Sequence, residues 1–298
     1  MAVVEPAPSF SLGPEIDQAE AKAGGRGRGR WRNNLGTWIP AGLILFVLVA
    51  CFLGPTLLSL PSPVGGNILE SNQPALSPGH ILGTDPNGND ILSRLLNGGR
   101  SSLWIAVAVN LIGLAIGGTL GALSGYVGGI ADTIIMRLLD VLIAFPSLVL
   151  TLAVAQALGP SMTNTIFALA FFSIPAFARV ARSAVLRLRE MPFMAAAQLS
   201  GTTARRMLFK HLAPNIAPQL ITFGMLGMGI VIIIEGALSF LGLGIPDPAP
   251  SWGNMVATGQ LSLSATPMLV VWPSVALLVT VLAFNLLGEN LRARWSGR

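Results

Sequence analysis

The sequence predicts an all-α, polytopic membrane protein with six transmembrane helices, on three observations. Of 298 residues, 52% are apolar and only 10% are charged, against roughly 25% charged in a soluble domain, and the mean hydropathy is +0.69. Six apolar runs, near 38–60, 103–126, 134–158, 165–186, 216–241 and 268–287, are each long enough to cross a hydrocarbon core of about 30 Å, which takes about 20 residues. The basic residues fall in clusters between these runs. A net charge of +5 raises the question of nucleic acid, but the cations are not spread along one soluble face, so they read as topology signals.

Residues 1–36 form a basic tail rich in Gly, Pro, Ala and Arg without apolar periodicity, which predicts disorder. The Arg-Gly alternation from Arg26 to Arg32 could touch RNA. Beside a first span it reads as an orientation signal and a contact for anionic membrane lipid instead. The first run begins too deep and is too long for a cleaved signal, so it is an anchor. Residues 37–298 then form one membrane domain.

An external loop, 61–102, carries Pro61, Pro63, Pro74, Pro78 and Pro86. Near its end Asn89-Asp90 caps an amphipathic stretch with Ile91, Leu92, Leu95 and Leu96 on one face, which predicts a short helix at the outer membrane surface. The second run carries Gly113, Gly117, Gly121 and Gly125 at four-residue intervals. One helix face therefore lacks side chains, and another backbone can approach it closely, in this chain or in a partner. Pro146 and Pro175 interrupt the third and fourth runs, where kinks are tolerated.

Orientation follows from the cations. Lys22 to Arg32 precede the first run, Arg179 to Lys210 lie between the fourth and fifth, and Arg292 to Arg298 follow the sixth. Six crossings put all three clusters on one side, which the positive-inside rule makes cytoplasmic, with both termini inside. Arg94 and Arg100 fall in the long external loop, where charge bias counts for less.

Between the fourth and fifth runs, loop 187–214 combines small residues, a single Gly and several cations. It reads as a docking element, a helix able to seat in another protein's groove. Ionisable groups inside the runs are few. Arg137 and Asp140, three apart, can pair on one helix face. Glu235 lies in Ile230-Val231-Ile232-Ile233-Ile234-Glu235-Gly236 with no basic neighbour in sequence, and so is either a pathway or gate residue or a hydrogen-bonded structural acid.

Catalytic chemistry is not visible. Lys22 and Lys210 are each followed by a residue other than Ser or Thr, so no Gly-Lys-Ser/Thr phosphate loop exists. His80 and His211 fall on opposite membrane faces in this topology, and Cys51 sits inside an apolar run without a second cysteine. A shared metal site and a disulfide are both excluded.

Residues 192–215 resemble the cytoplasmic EAA loop of binding-protein-dependent ABC importer permeases: Glu-Ala-Ala, three residues, Gly, then an apolar-x-Leu-Pro-like end. Ala196, Ala197, Gly201 and Pro214 match, whereas Ala195 stands where the family has Glu. Ala is the best helix former, so the helix itself is not in question. Leu82-Gly83-Thr84-Asp85, Asp90 to Leu96, Gly125-Tyr126-Val127-Gly128-Gly129 with Asp132, Ala144-Phe145-Pro146, Glu235 to Gly244, Pro250 to Met255 and Ala283 to Gly288 are similar to the dipeptide/oligopeptide/nickel branch, C-type subunit. Asn89 replaces a usual Arg.

The resemblance implies a type I importer permease in a bacterial inner membrane. It would form half of a pathway with a homologous B-type permease subunit, above one or two ABC ATPase subunits that bind ATP and Mg. An extracytoplasmic solute-binding protein would deliver peptides, or nickel, haem or another small solute. No cofactor is implied in this chain, and nucleic acid is not a partner. Ala195, Ala196, Ala197, Gly201, Arg205, Arg206 and Pro214 become the ATPase-coupling loop, with Gly201 the turn after its helix and Pro214 the start of the fifth span. Two other classes remain for comparison. An ion-coupled transporter is expected to show internal repeats and paired midplane acids or bases, and a membrane scaffold leaves the docking loop without purpose.

Overall fold

The computed structural model describes residues 29–296. Those residues are helical with connecting loops, and the only ladder pairings among them are the isolated bridges Ser77–His80 and Thr84–Asp90. The helices in chain order are α1 (Gly29–Phe52), α2 (Gly54–Leu57), α3 (Ile91–Ile112), α4 (Gly118–Val127), α5 (Gly129–Ile143), α6 (Ser147–Leu158), α7 (Met162–Arg189), α8 (Pro192–Leu199), α9 (Ala204–Arg206), α10 (Ala213–Phe240), α11 (Trp252–Gln260) and α12 (Met268–Ser296). Residues 1–28 of the expected tail lie outside the described residues, and 29–36 already belong to α1.

Among the described residues, four helices are long and apolar enough to cross a membrane: Ile91–Val127, Met162–Arg189, Ala204–Phe240 and Met268–Trp295. A fifth exists if α5 and α6 count together, although they meet at 81°. The expected first span is shorter than the sequence suggests. Its apolar helix, Gly36–Phe52, ends where Gly54 and Pro55 open α2, because Pro has no N–H to continue the ladder. At the third run, Pro146 does more than kink the helix: it is the N-cap of α6, and the chain turns sharply across 144–146. Pro175, by contrast, sits within an unbroken α7.

The outer amphipathic stretch is not a separate helix, as the sequence suggests, but the opening of α3. Asp90 does cap it, accepting a hydrogen bond from Ser93 N at 2.7 Å, and the helix then continues through a π-helical turn at Gly113–Gly117 to Val127. It passes through Gly98-Gly99 because α11 packs there. A side chain at Gly99 would meet Cys51 and the Trp252 ring, and Trp252 Nε1 donates to Leu95 O at 2.9 Å. The helix α11 lies in a segment whose sequence reads only as a family motif.

The glycine stripe has its partner within this chain. A Cβ at Gly117 would strike the Ile174 carbonyl oxygen and one at Gly121 the Ala178 carbonyl oxygen, while Gly113 faces Ser173 and Phe177 and Gly125 faces Arg182 and Val185. Thus α3–α4 and α7 pack backbone to backbone, the close approach that small residues permit. An apolar core forms around Leu103, Ile105, Val109, Leu169, Ile232 and Leu238, and a second around Phe177, Val185, Met194, Met207 and Leu212. The ends of α4 and α7, the start of α5, and α8 and α9 share one end of the bundle, here the basic end.

Candidate functional site

At the basic end, α8 starts with Pro at its first turn and ends in Gly201. Pro fits there because its missing N–H has no helical partner to lose. At the other end Gly201 N donates to Gln198 O at 3.0 Å and Thr202 N to Ala197 O at 3.1 Å, with Gly201 at φ +71°. This is a Schellman motif, which needs a left-handed residue after the helix, so Gly201 ends α8 as its position suggests. One side chain anchors the helix: Met194, fully buried in the second core with Val185 and Met207.

Ala197 is half-buried against the same core, and the other α8 residues face outward. Ala195, Ala196, Gln198 and Leu199 are exposed, Leu199 to 90%. With Met191, Phe193 and Phe209 they leave exposed apolar side chains at this end, and large exposed apolar patches mark interaction sites. Sequence reading did not single out Phe193 or Leu199, although their place on a short helix between two apolar runs is the signal. Arg205, Arg206 and Pro214 do not sit on α8. They lie past the turn, where α9 runs through a π-helical stretch, Met207–Leu212, into α10. Pro214 is in the first turn of α10, as expected. The widened turns precede it because, in a straight α-helix, its ring would meet the carbonyl four residues back.

Beside α8, two ion pairs tie α5 to α7. Arg182 donates to both Asp132 oxygens, each at 2.6 Å, and Ser124 donates to the same carboxylate. Asp140 pairs with Arg179 at 2.8 Å. That corrects the pairing read from sequence: Arg137, one turn before Asp140, is exposed and makes no ion pair among the described residues. Arg137, Asp140, Arg179, Asp132 and Arg182 line a cleft of about 490 Å³ between the two helices.

Glu235 lies elsewhere, and its surroundings favour the second of its two readings. It is 0% exposed. Ser102 Oγ donates to its Oε2 at 2.9 Å and Ser239 Oγ to its Oε1 at 2.7 Å, and Trp252 N reaches Ser102 Oγ at 3.3 Å. The carboxyl group therefore joins α3, α10 and the start of α11, away from the cleft between α5 and α7. Gln at 235 keeps shape and hydrogen bonding, so E235Q leaves uptake per assembled complex nearly unchanged. Leu strands the buried serine hydroxyls at about 1–3 kcal/mol each, so E235L lowers the yield of folded chain, measured by gel filtration in detergent. Lost uptake per complex in E235Q would return Glu235 to the pathway.

At the opposite end the matched motif residues are fasteners. Asp85 accepts from the backbone N of Asn87 and Asn89, both at 2.9 Å, Asn89 Oδ1 accepts from Gly66 N at 2.8 Å, and Arg94 donates to Pro63 O at 3.1 Å and Pro248 O at 3.3 Å. They pin the loop before α3 to the loop before α11. Asn89, which departs from the family's usual Arg, is one of the pins.

A bundle of membrane-length helices, a backbone-tight packing stripe, and a short helix held outside on one buried Met define a transport permease. The chain belongs to the family of binding-protein-dependent transport system inner membrane components, whose model matches residues 117–296. It is 44% identical over 216 residues to the glutathione transport system permease protein GsiD of Pectobacterium atrosepticum, covering 72% of each chain. It is 37% identical to the dipeptide transport system permease protein DppC of Alkalihalophilus pseudofirmus, over 84% of this chain and 83% of that protein. With DppC of Haemophilus influenzae the identity is 34%, over 88% and 90%. Among solved structures, a chain of the MetNI methionine ABC transporter in inward-facing form has a TM-score of 0.54 at 18% identity, covering 67% of this chain and 95% of that chain. That likeness is one of fold.

Proposed function

We propose that this chain forms half of the translocation pathway of an ATP-driven peptide importer and receives its drive through α8. The observation that carries the coupling role is the construction of α8: one buried anchor, an exposed apolar face and a fixed glycine stop. A rigid short helix so held can transmit the movement of an ATPase subunit to α7 and α10, the helices it joins. Dipeptide and glutathione permeases among the relatives support small peptides as cargo. An extracytoplasmic binding protein would deliver the peptide, and ATP with Mg would be bound by one or two partner ATPases.

The remaining apolar surface suits a homologous permease partner and lipid. On α5, Ile130, Ile134, Leu138 and Val141 form an exposed stripe at helical spacing. In this reading α1 and the bent α5–α6 pair complete six crossings, the basic end is cytoplasmic, and both termini are inside the cell. A cysteine placed at Leu199 tests both claims, since Cys51 is buried. In intact cells L199C resists an impermeant thiol reagent, and in membranes containing the ATPases it crosslinks to an ATPase subunit. Labelling from outside would refute the orientation, and absence of the crosslink would refute docking through α8.

A further inference from the structure

We propose that the groove at the foot of α10 binds the headgroup of an acidic phospholipid. It holds about 590 Å³ and is lined by Thr203, Arg205, Arg206, Phe209, Lys210 and Pro214. Elsewhere at this end the cations Arg179, Arg182 and Arg187 have side-chain partners. The side chains of Arg205, Arg206 and Lys210 have no hydrogen bond or ion pair among the described residues. Like charges four apart, as in Arg206 and Lys210, cost a helix a few tenths of a kcal/mol. A bound anion removes that cost.

Two further observations select a lipid over a free anion. Phe209 stands one turn after Arg205 and is 72% exposed, so the groove offers cations and an aromatic ring together. A phosphate attached to hydrocarbon satisfies both, whereas inorganic phosphate satisfies only the first. Depth agrees. The continuous helix Ala204–Phe240 has 37 residues, a length of about 55 Å, more than the 40–45 Å of a bilayer with its headgroups. Its apolar run begins at Ile216, which places Lys210 about 9 Å earlier along the axis, just below the headgroup layer, from where its long side chain reaches back to the phosphates. A lipid there braces the turns between α8 and α10. The inference needs only a chain set in a bilayer and does not depend on cargo; because Arg205, Arg206 and Pro214 also belong to the loop expected to meet the ATPases, the test leaves those subunits out.

The test uses the full chain without partner subunits, reconstituted in vesicles of equal phosphatidylcholine and phosphatidylglycerol, extracted in mild detergent and analysed for retained lipid. Wild type retains phosphatidylglycerol in preference to phosphatidylcholine. Each of R205Q, R206Q and K210Q lowers that preference up to roughly fivefold at low salt, and the triple variant abolishes it. R292Q, which removes another exposed cation from the basic end, leaves it unchanged, and F209S weakens retention with the charges intact. Millimolar inorganic phosphate does not displace the lipid. Equal retention by the triple variant, loss in R292Q, indifference to F209S, or displacement by phosphate would each overturn the proposal. Melting curves of the variants matching wild type confirm that the loss is one of binding.

Discussion

Replacing Gly121 with Val sharply lowers the amount of folded chain that accumulates. The new Cβ would fall on the Ala178 carbonyl oxygen, with the Ala178 carbonyl carbon and Cα also too close. All three are backbone atoms, so no rotamer change relieves them and the α4–α7 seam must open along its length. Overpacking costs about 1–3 kcal/mol where side chains can adjust, and here the upper end applies. Folded yield in detergent drops severalfold, with a melting temperature at least about 5 °C lower for what remains. G118A, three residues earlier on the same helix, is the control. Its Cβ meets only the Leu114 and Leu220 side chains, at 3.6 and 3.8 Å. Helical Ala gains roughly 0.5–1 kcal/mol over Gly, so G118A folds at least as well as wild type. Equal yields of G121V and wild type would dismiss the stripe as the main packing seam.

The second large effect falls on transport rather than folding. Gly201 sits at φ +71° with nothing within 4 Å of where a Cβ would stand. A side chain there meets no neighbour, and the cost is conformational alone: about 1–2 kcal/mol for a residue with a Cβ, and more for a β-branched one. The Schellman turn gives way before the buried core does, and α8 changes direction. G201V therefore inserts and assembles, yet its uptake per complex falls about tenfold or more and ATP hydrolysis loses its dependence on the permease. G201N, which tolerates the left-handed region, keeps most of the activity. A195E, which adds the family residue at an exposed helical position, is also tolerated. Normal uptake by G201V would remove α8 from the coupling path.

Where periodicity carries information, the sequence was readable to the residue. The four-residue glycine spacing announced a seam, and the position of Gly201 announced the end of a helix. The other side of each contact was not readable. Ser173, Ile174, Phe177 and Ala178 face the stripe from about sixty positions along the chain, and no local pattern marks them. Likewise Asp140 looks paired with Arg137 by spacing, but the fold brings Arg179 closer. Hydropathy has no direction, so the 81° turn between α5 and α6 passes for one run with a kink. At the start of α11, Pro250 to Met255 reads in sequence only as a family motif, yet Trp252 is buried and Ser251 caps the helix, accepting from Asn254 N at 3.1 Å. Glu235 kept two readings because, although Ser239 stands one turn along the same helix, Ser102 comes from α3; only tertiary placement shows that both carboxyl oxygens are satisfied.

Uptake of a labelled dipeptide by right-side-out vesicles tests the central claim most directly. The vesicles hold this chain, its permease partner and the ATPases, with the binding protein added outside. ATP-driven import through α8 requires accumulation when ATP is enclosed, none without it, and no loss when a protonophore collapses the proton gradient. Accumulation that needs no ATP and is abolished by the protonophore would contradict it.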